Sequence, residues 1–337
     1  MKTRKKIILL ILGIVIAVLI AVYIAWFRPP KGYSGPVESI SVGFQPGQTA
    51  TEAYVAQDKG FFTKNGLNVT IKHYDSGIEA ANGMLLSELD LAGVAETALV
   101  YKAFEHQAIS SIACVNKIDG LFFLVGRRNR GIENVSDLSG KQVGVPLQTI
   151  GEFYLSRFLE LHGMSTHQIT IVNTSLSQSV EALTNGTVDA IVTMQPYVEA
   201  LKNQLGAGGV SWIIQSGQVL FGMFVGKNSW ITEHPDVVKR FLRAIEQANG
   251  YIIEHPNEAK TILKNRFNYT DEYLELVWPG NNFSLSLDQS LITAMEDEAR
   301  WMIRNKMTKE REVSDFMNYI YVDGLKAVKP NAVKINR

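Results

Sequence analysis

A single cysteine, Cys114, stands among 337 residues. That excludes an internal disulfide framework and a cysteine-based zinc site. The six histidines form no HExxH pair, no serine sits in a GxSxG elbow, and no glycine run leads into a phosphate-binding Gly-Lys-Ser/Thr. Gly206-Ala207-Gly208-Gly209 is glycine-rich, but no phosphate-loop lysine follows it, so it reads as a connecting loop. His73 and Asp75 lie close together, yet such a pair at a strand end reads as surface. Glu96 and Glu152 are conceivable acid/base partners, but nothing in the sequence brings them face to face. These absences argue against an enzyme, and no cofactor, metal or catalytic residue is assigned.

Acids are absent before Glu38. The whole chain balances 33 basic residues against 33 acidic ones. Six of the basic residues lie in positions 1–31, so the remainder has 27 against 33, a net charge of −6. No basic stripe remains for nucleic acid.

Charge is missing altogether from Ile7 to Phe27. At about 1.5 Å per residue this run spans roughly 31 Å, the thickness of a bilayer's hydrocarbon core. Lys2, Arg4, Lys5 and Lys6 precede it, and Tyr23 and Trp26 sit at its outer end, where aromatic rings favour the interface. The expectation is a cytoplasmic stub over 1–6, an uncleaved single-pass anchor over 7–27, and everything after it extracytoplasmic at the cell membrane. A cleaved signal peptide is the second reading, although Tyr23-Ile24-Ala25-Trp26 makes a poor small-x-small exit. Residues 28–37 begin RPPKGYSGP, which reads as a linker.

About 300 residues remain, enough for two lobes with their own cores. Short apolar strands alternate with helical patterns, which predicts α/β lobes with largely parallel sheets. Leu67, Val69 and Ile71 alternate with polar residues as a half-buried strand. Ser87-Glu88-Leu89-Asp90 before one strand is echoed by Gly186-Thr187-Val188-Asp189 before another, so two βαβαβ halves are expected. The final third reads as helical, with Pro235 and Pro256 at helix starts. Two apolar strands, roughly 111–126 and 212–226, bracket the middle unit and are the expected hinge. The predicted division is 38–120 with 220–337 as lobe 1, and 121–219 as lobe 2.

Helix N-termini recur just after strands. Their unpaired N–H groups bind polar or anionic groups, and ligands in open α/β sheets sit beyond the strands' carboxyl ends. Five turns qualify: 45–51, 75–77, 95–97, 148–152 and 194–197. They supply the candidate ligand-binding residues Phe44, Gln45, Thr49, Ser76, Glu96, Thr97, Gln148, Thr149, Gln195 and Tyr197. Each could equally cap a helix; the set together points to an enclosed cleft.

The stretch Ala53-Tyr54-Val55-Ala56-Gln57-Asp58-Lys59-Gly60-Phe61-Phe62, then Ser87-Glu88-Leu89-Asp90-Leu91-Ala92, Leu138-Ser139-Gly140-Lys141-Gln142-Val143-Gly144-Val145, Gly186-Thr187-Val188-Asp189-Ala190 and His234-Pro235-Asp236-Val237-Val238 stand in a characteristic order. Together they resemble the solute-binding family that includes nitrate-, sulfonate- and taurine-binding components of ABC importers and thiamine-pyrimidine binders, the NMT1/THI5-like group. The resemblance covers about residues 38–305. It implies the two-lobed type II periplasmic-binding fold, a small-molecule ligand, an ABC permease as partner, and a monomer. An anchored sensor or scaffold without transport is the alternative. Ser87 stands where the family usually has Gly, and Gln195 where it often has Glu before Pro196. No cysteine comes soon after the apolar run, since the one cysteine is Cys114, so a lipid anchor is not expected. The fungal pyrimidine-synthesising members carry a cysteine-rich motif that one cysteine cannot supply. The candidate turns lack Arg and Lys, which disfavours a small sulfonate- or nitrate-type anion and suits a neutral or weakly basic heterocycle such as a pyrimidine.

Overall fold

Alternation decides the first strands. In β1 (Glu38–Phe44) and β2 (Leu67–His73), apolar positions turn inward while Asn68, Thr70 and Lys72 face solvent. A computed structural model describes residues 33–215 and 217–335. The expected stub, the membrane span and the first half of the linker, 28–32, therefore lie outside the described residues. Among the described residues no helix is long and apolar enough to cross a membrane. Residues 37–337 make one compact unit, to which all that follows refers.

β1, β2 and β3 (Leu91–Ala95) are parallel, in the spatial order β2-β1-β3. β4 (Ile109–Ile118) and β5 (Phe122–Arg127) follow, one in each of two sheets. β6 (Gln142–Val145), β7 (Thr170–Asn173) and β8 (Ala190–Met194) repeat the parallel arrangement as β7-β6-β8. β9 (Gly209–Ile213) pairs antiparallel with β5. β10 (Leu220–Lys227) returns to the first sheet and wedges between β3 and β4, antiparallel to both. β11 (Asn281–Asp288) covers the other edge of β4, and β12 (Val333–Lys334) pairs with β11. The result is a seven-stranded sheet, β12-β11-β4-β10-β3-β1-β2, and a five-stranded one, β7-β6-β8-β5-β9. The two halves do echo each other, but the sheets are mixed, since each parallel triplet is flanked by antiparallel strands.

Two expectations change. The apolar segments 111–126 and 212–226 are not single strands. Each breaks into two, one per sheet, across Asp119–Leu121 and 214–219. Gly120 and Gly217 make the breaks at φ of 67° and 71°, a region that favours glycine. Gln215, 3% exposed, ties the breaks together. Its Oε1 accepts the Leu121 N–H at 2.8 Å, and its Nε2 donates to the Ile118 carbonyl at 2.7 Å.

The final third is not wholly helical either. Helices Pro235–Glu254, Pro256–Phe267 and Gln289–Arg304 form as expected, and Val238, Phe241, Leu242 and Ile245 are buried along one stripe. Between them, Phe283, Leu285 and Leu287 alternate with serines and make β11. Truncating a core side chain such as Ile245 to Ala costs about 2–5 kcal/mol.

Candidate functional site: a cavity at the carboxyl ends of two parallel triplets

Both triplets aim their carboxyl ends at one cavity. Phe44 ends β1, Val94 and Ala95 end β3, Pro146 follows β6, and Met194 ends β8; all line it. In each triplet the strand order reverses beside the central strand, where an open α/β sheet leaves a crevice. The space open to the centre of a water-sized sphere is about 90 Å³. One water needs roughly 10–15 Å³ on that measure, so a small organic molecule fits.

Four helix starts converge there. Thr49 and Ala50 precede the helix Thr51–Asp58, Ser76 precedes Gly77–Leu85, Ala95 precedes Glu96–Phe104, and Thr149 precedes Ile150–Leu161. The first N–H groups of each helix have no partner within it. Six of the ten candidate residues line the cavity: Phe44, Gln45, Thr49, Ser76, Gln148 and Thr149. Some of their polar atoms are engaged locally. Ser76 Oγ accepts the Glu79 N–H at 3.3 Å, capping its own helix, and Thr149 Oγ1 donates to the Pro146 carbonyl at 2.7 Å. Gln148 is exposed at a left-handed φ of 59°, with its N–H donated to Glu152 at 2.8 Å. Phe44 is a fixed wall, packed edge-on to Tyr54 with ring centroids 5.4 Å apart.

The other four candidates do not line this cavity. Ala95, just before the helix Glu96–Phe104, and Ala98 within it line the cavity, so helical phase turns Glu96 and Thr97 away. Glu96 accepts the Phe221 N–H at 2.9 Å. Burial raises its carboxyl to about 8, and Glu298 beside it is raised well above the ordinary carboxylate range by burial and then by the Glu96 charge. Glu152 instead accepts from the Tyr101 hydroxyl at 3.4 Å, so Glu96 and Glu152 make no acid/base pair. Gln195 lines a neighbouring cavity. Tyr197 is half-buried, and its hydroxyl is raised by burial and then by the Asp75 charge.

Glu52 lies outside the ten candidates. It is 1% exposed, lines the cavity, and accepts from Asn116 Nδ2 at 3.1 Å through Oε2. Its Oε1 has no hydrogen-bond partner. Burial pushes the carboxyl up to about 8. In sequence it is an ordinary first-turn acid, the kind a helix dipole favours, so no pattern singles it out. Leu121, Phe122 and Leu220 are equally silent in sequence, because only the two crossings bring them here. Glu52 and Asp75 are the acids of the lining, and none of the described lining residues is Lys, Arg or His. Among the described residues, no group of three His, Cys, Asp or Glu is placed to hold a metal.

A family model described as NMT1/THI5 like matches residues 48–259. A Brucella abortus protein named as a binding protein is 24% identical over 212 residues, which are 62% of this chain and 65% of that one. A Haemophilus influenzae protein named for thiamine biosynthesis is 30% identical over 217 residues, 61% of this chain and 65% of that one. The chain thus spans about 65% of the length of these relatives. The alkanesulfonate-binding protein SsuA of Xanthomonas axonopodis pv. citri, solved bound to MOPS, matches with a TM-score of 0.75 at 16% identity, over 86% of this chain and 100% of that one. The architecture is accordingly the two-lobed α/β fold of periplasmic binding proteins.

Proposed function

The chain belongs to the NMT1/THI5-like family, and from that membership we propose that it is the extracytoplasmic solute-binding component of an ABC importer, and not an enzyme. Lobe 1 is 38–120 with 220–337, lobe 2 is 121–219, and they close on the ligand about the two crossings. The protein acts as a monomer that hands its ligand to a membrane permease. Ile7–Phe27 tethers it to the membrane, and the following linker gives it reach.

The ligand is a neutral or weakly basic heterocycle, with a pyrimidine as the leading case. The observation that carries this reading is the lining itself: a buried acid with a free oxygen, and no cationic side chain. A sulfonate placed there would face Asp75 and a buried carboxyl, and would find no cationic side chain among the described lining residues. A ring bearing an amino group and a basic nitrogen would instead use Glu52 as acceptor, or share its proton. Phe44 and Phe224 give the ring an apolar wall.

Isothermal titration of the full-length chain with 4-aminopyrimidines and with alkanesulfonates tests this. Binding of the aminopyrimidine alone is expected, with the ligand recovered unchanged by mass spectrometry. Tight sulfonate binding without aminopyrimidine binding would overturn the ligand class, and chemical turnover would overturn the binding-protein role.

A further inference from the structure

Beside the main cavity lies a second, of about 370 Å³ on the same measure. Leu121 lines both. The walls of the second come from both lobes: Ile118 ends β4 of the first sheet and Ile213 ends β9 of the second, while Gln48 lies on the turn after β1 and Gln195 directly follows β8. Ile213 and Leu276 form an apolar rim, 54% and 61% exposed.

Two side chains at the base do not fit an apolar groove. Gln48 is 3% exposed and Gln195 is 2% exposed. Gln48 Oε1 and Gln195 Nε2 have no hydrogen-bond partner. The other end of Gln195 is fixed, its Oε1 accepting the Glu199 N–H at 3.2 Å. A buried amide atom without a partner is destabilising, and natural proteins leave few of them. Here one acceptor and one donor line a single cavity from opposite lobes. Asp119, the acid of this lining, is exposed and accepts the Gly120 N–H at 2.8 Å, and none of the described lining residues is cationic.

We propose that this flank of the cleft is a second ligand subsite for a neutral group with one donor and one acceptor: a carboxamide, a lactam or the edge of a cyclic ureide. The group's N–H goes to Gln48 Oε1 and its carbonyl accepts from Gln195 Nε2. This rests on the solute-binding reading and deepens it, because a ligand filling both cavities must carry such a group beyond its ring. The group also joins the two lobes, so its binding favours the closed arrangement.

The test uses the full-length chain labelled with nitrogen-15. The side-chain amide resonances of Gln48, Gln195 and Asn116 are followed, the first two assigned by their loss in Gln48→Met and Gln195→Met. The probe is 2-pyrrolidinone, a lactam with both groups. N-methyl-2-pyrrolidinone, which lacks the donor, is the control. Pyrrolidinone is expected to shift both glutamine amides saturably and to leave Asn116 in place. The N-methyl compound and each Met variant should bind about tenfold more weakly, the effect of one lost buried hydrogen bond. Gln48→Met, matched in volume, should melt as the parent does, and Gln195→Met should melt slightly lower for its lost bond to the Glu199 N–H. Unmoved glutamine amides, or equal binding of the N-methyl compound, would overturn the subsite. A separate titration with 4-aminopyrimidine, read at Asn116, reports on the main cavity. If that fails while pyrrolidinone moves both glutamines, the ring assignment falls and the subsite stands.

Discussion

On the wall of the cleft built by the seven-stranded sheet, Phe44 and Glu52 are 2% and 1% exposed, held by Tyr54 and Asn116. On the wall built by the five-stranded sheet, Gln148 is exposed and Thr149 half-buried, on a turn with a left-handed residue. The first wall has its chemistry fixed before a ligand arrives. The second offers side chains still largely in water, which lose their hydration only when the lobes meet. On the proposed solute-binding reading, the first wall selects the ligand and the second retains it.

Removing the acid is the strongest way to break this comparison. Glu52→Leu should weaken 4-aminopyrimidine binding about 100-fold, the scale of a lost hydrogen bond to a charged partner. A calorimetric loss near unity would mean that the first wall does not select.

Buried acids on and behind the first wall should also dominate pH dependence. Glu52 and Glu96 both rise to about 8 on folding, from an ordinary value of 4.5. The folded chain therefore holds protons that the unfolded chain has released. Their contribution is fully present below pH 4.5 and is lost as pH climbs through about 8. Urea unfolding at pH 5 and pH 8 should show a fall of roughly 2 kcal/mol, less than the full shift of one carboxyl implies. Glu52→Gln should flatten the slope. A stability that rises over this interval would remove the buried acids from the account.

On the second wall the effects should be smaller and kinetic. Gln148→Ala is expected to lower affinity about fivefold, mainly through faster dissociation measured by stopped flow. Gln148→Gly should give the same kinetic loss and a slightly more stable protein, since glycine accepts the left-handed backbone without strain. A loss in the association rate alone would reverse the roles of the two walls. Smallest of all, Tyr197→Phe should change affinity about twofold or less, because its half-exposed hydroxyl stays near water.

What the sequence disclosed follows the range of the interactions. The parallel triplets are written in local alternation and in turns such as Leu138-Ser139-Gly140, so both βαβαβ halves are legible. The end of β1 and the turns after β1, β2 and β6 give six cavity residues, because a strand's carboxyl end places the following turn in the crevice whatever the distant chain does. Glu96 and Thr97 fail on helical phase, which shifts by 100° per residue and cannot be fixed to one residue from pattern alone. Gln195 lines the flank and not the main cavity, which depends on how the lobes meet. Glu52 and Leu220 are invisible for the same reason, since their companions Asn116 and Leu121 come from strands and crossings far along the chain. β11 is a different failure. Its alternation at Phe283, Leu285 and Leu287 is plain, but it lies between strong helical patterns, and the whole final third reads as helical.

The place of β10 has a consequence for how the chain is made. β3 and β4 are successive strands of one sheet, yet they never pair; the slot between them belongs to β10, more than a hundred residues later in the chain. Until the second lobe has been synthesised, the first sheet has two open edges and β4 has no neighbour on that side. Such long-range closure is slow, because loop entropy must be overcome before the pairing rewards it. A nascent chain of this topology stays incomplete and edge-exposed through most of its synthesis.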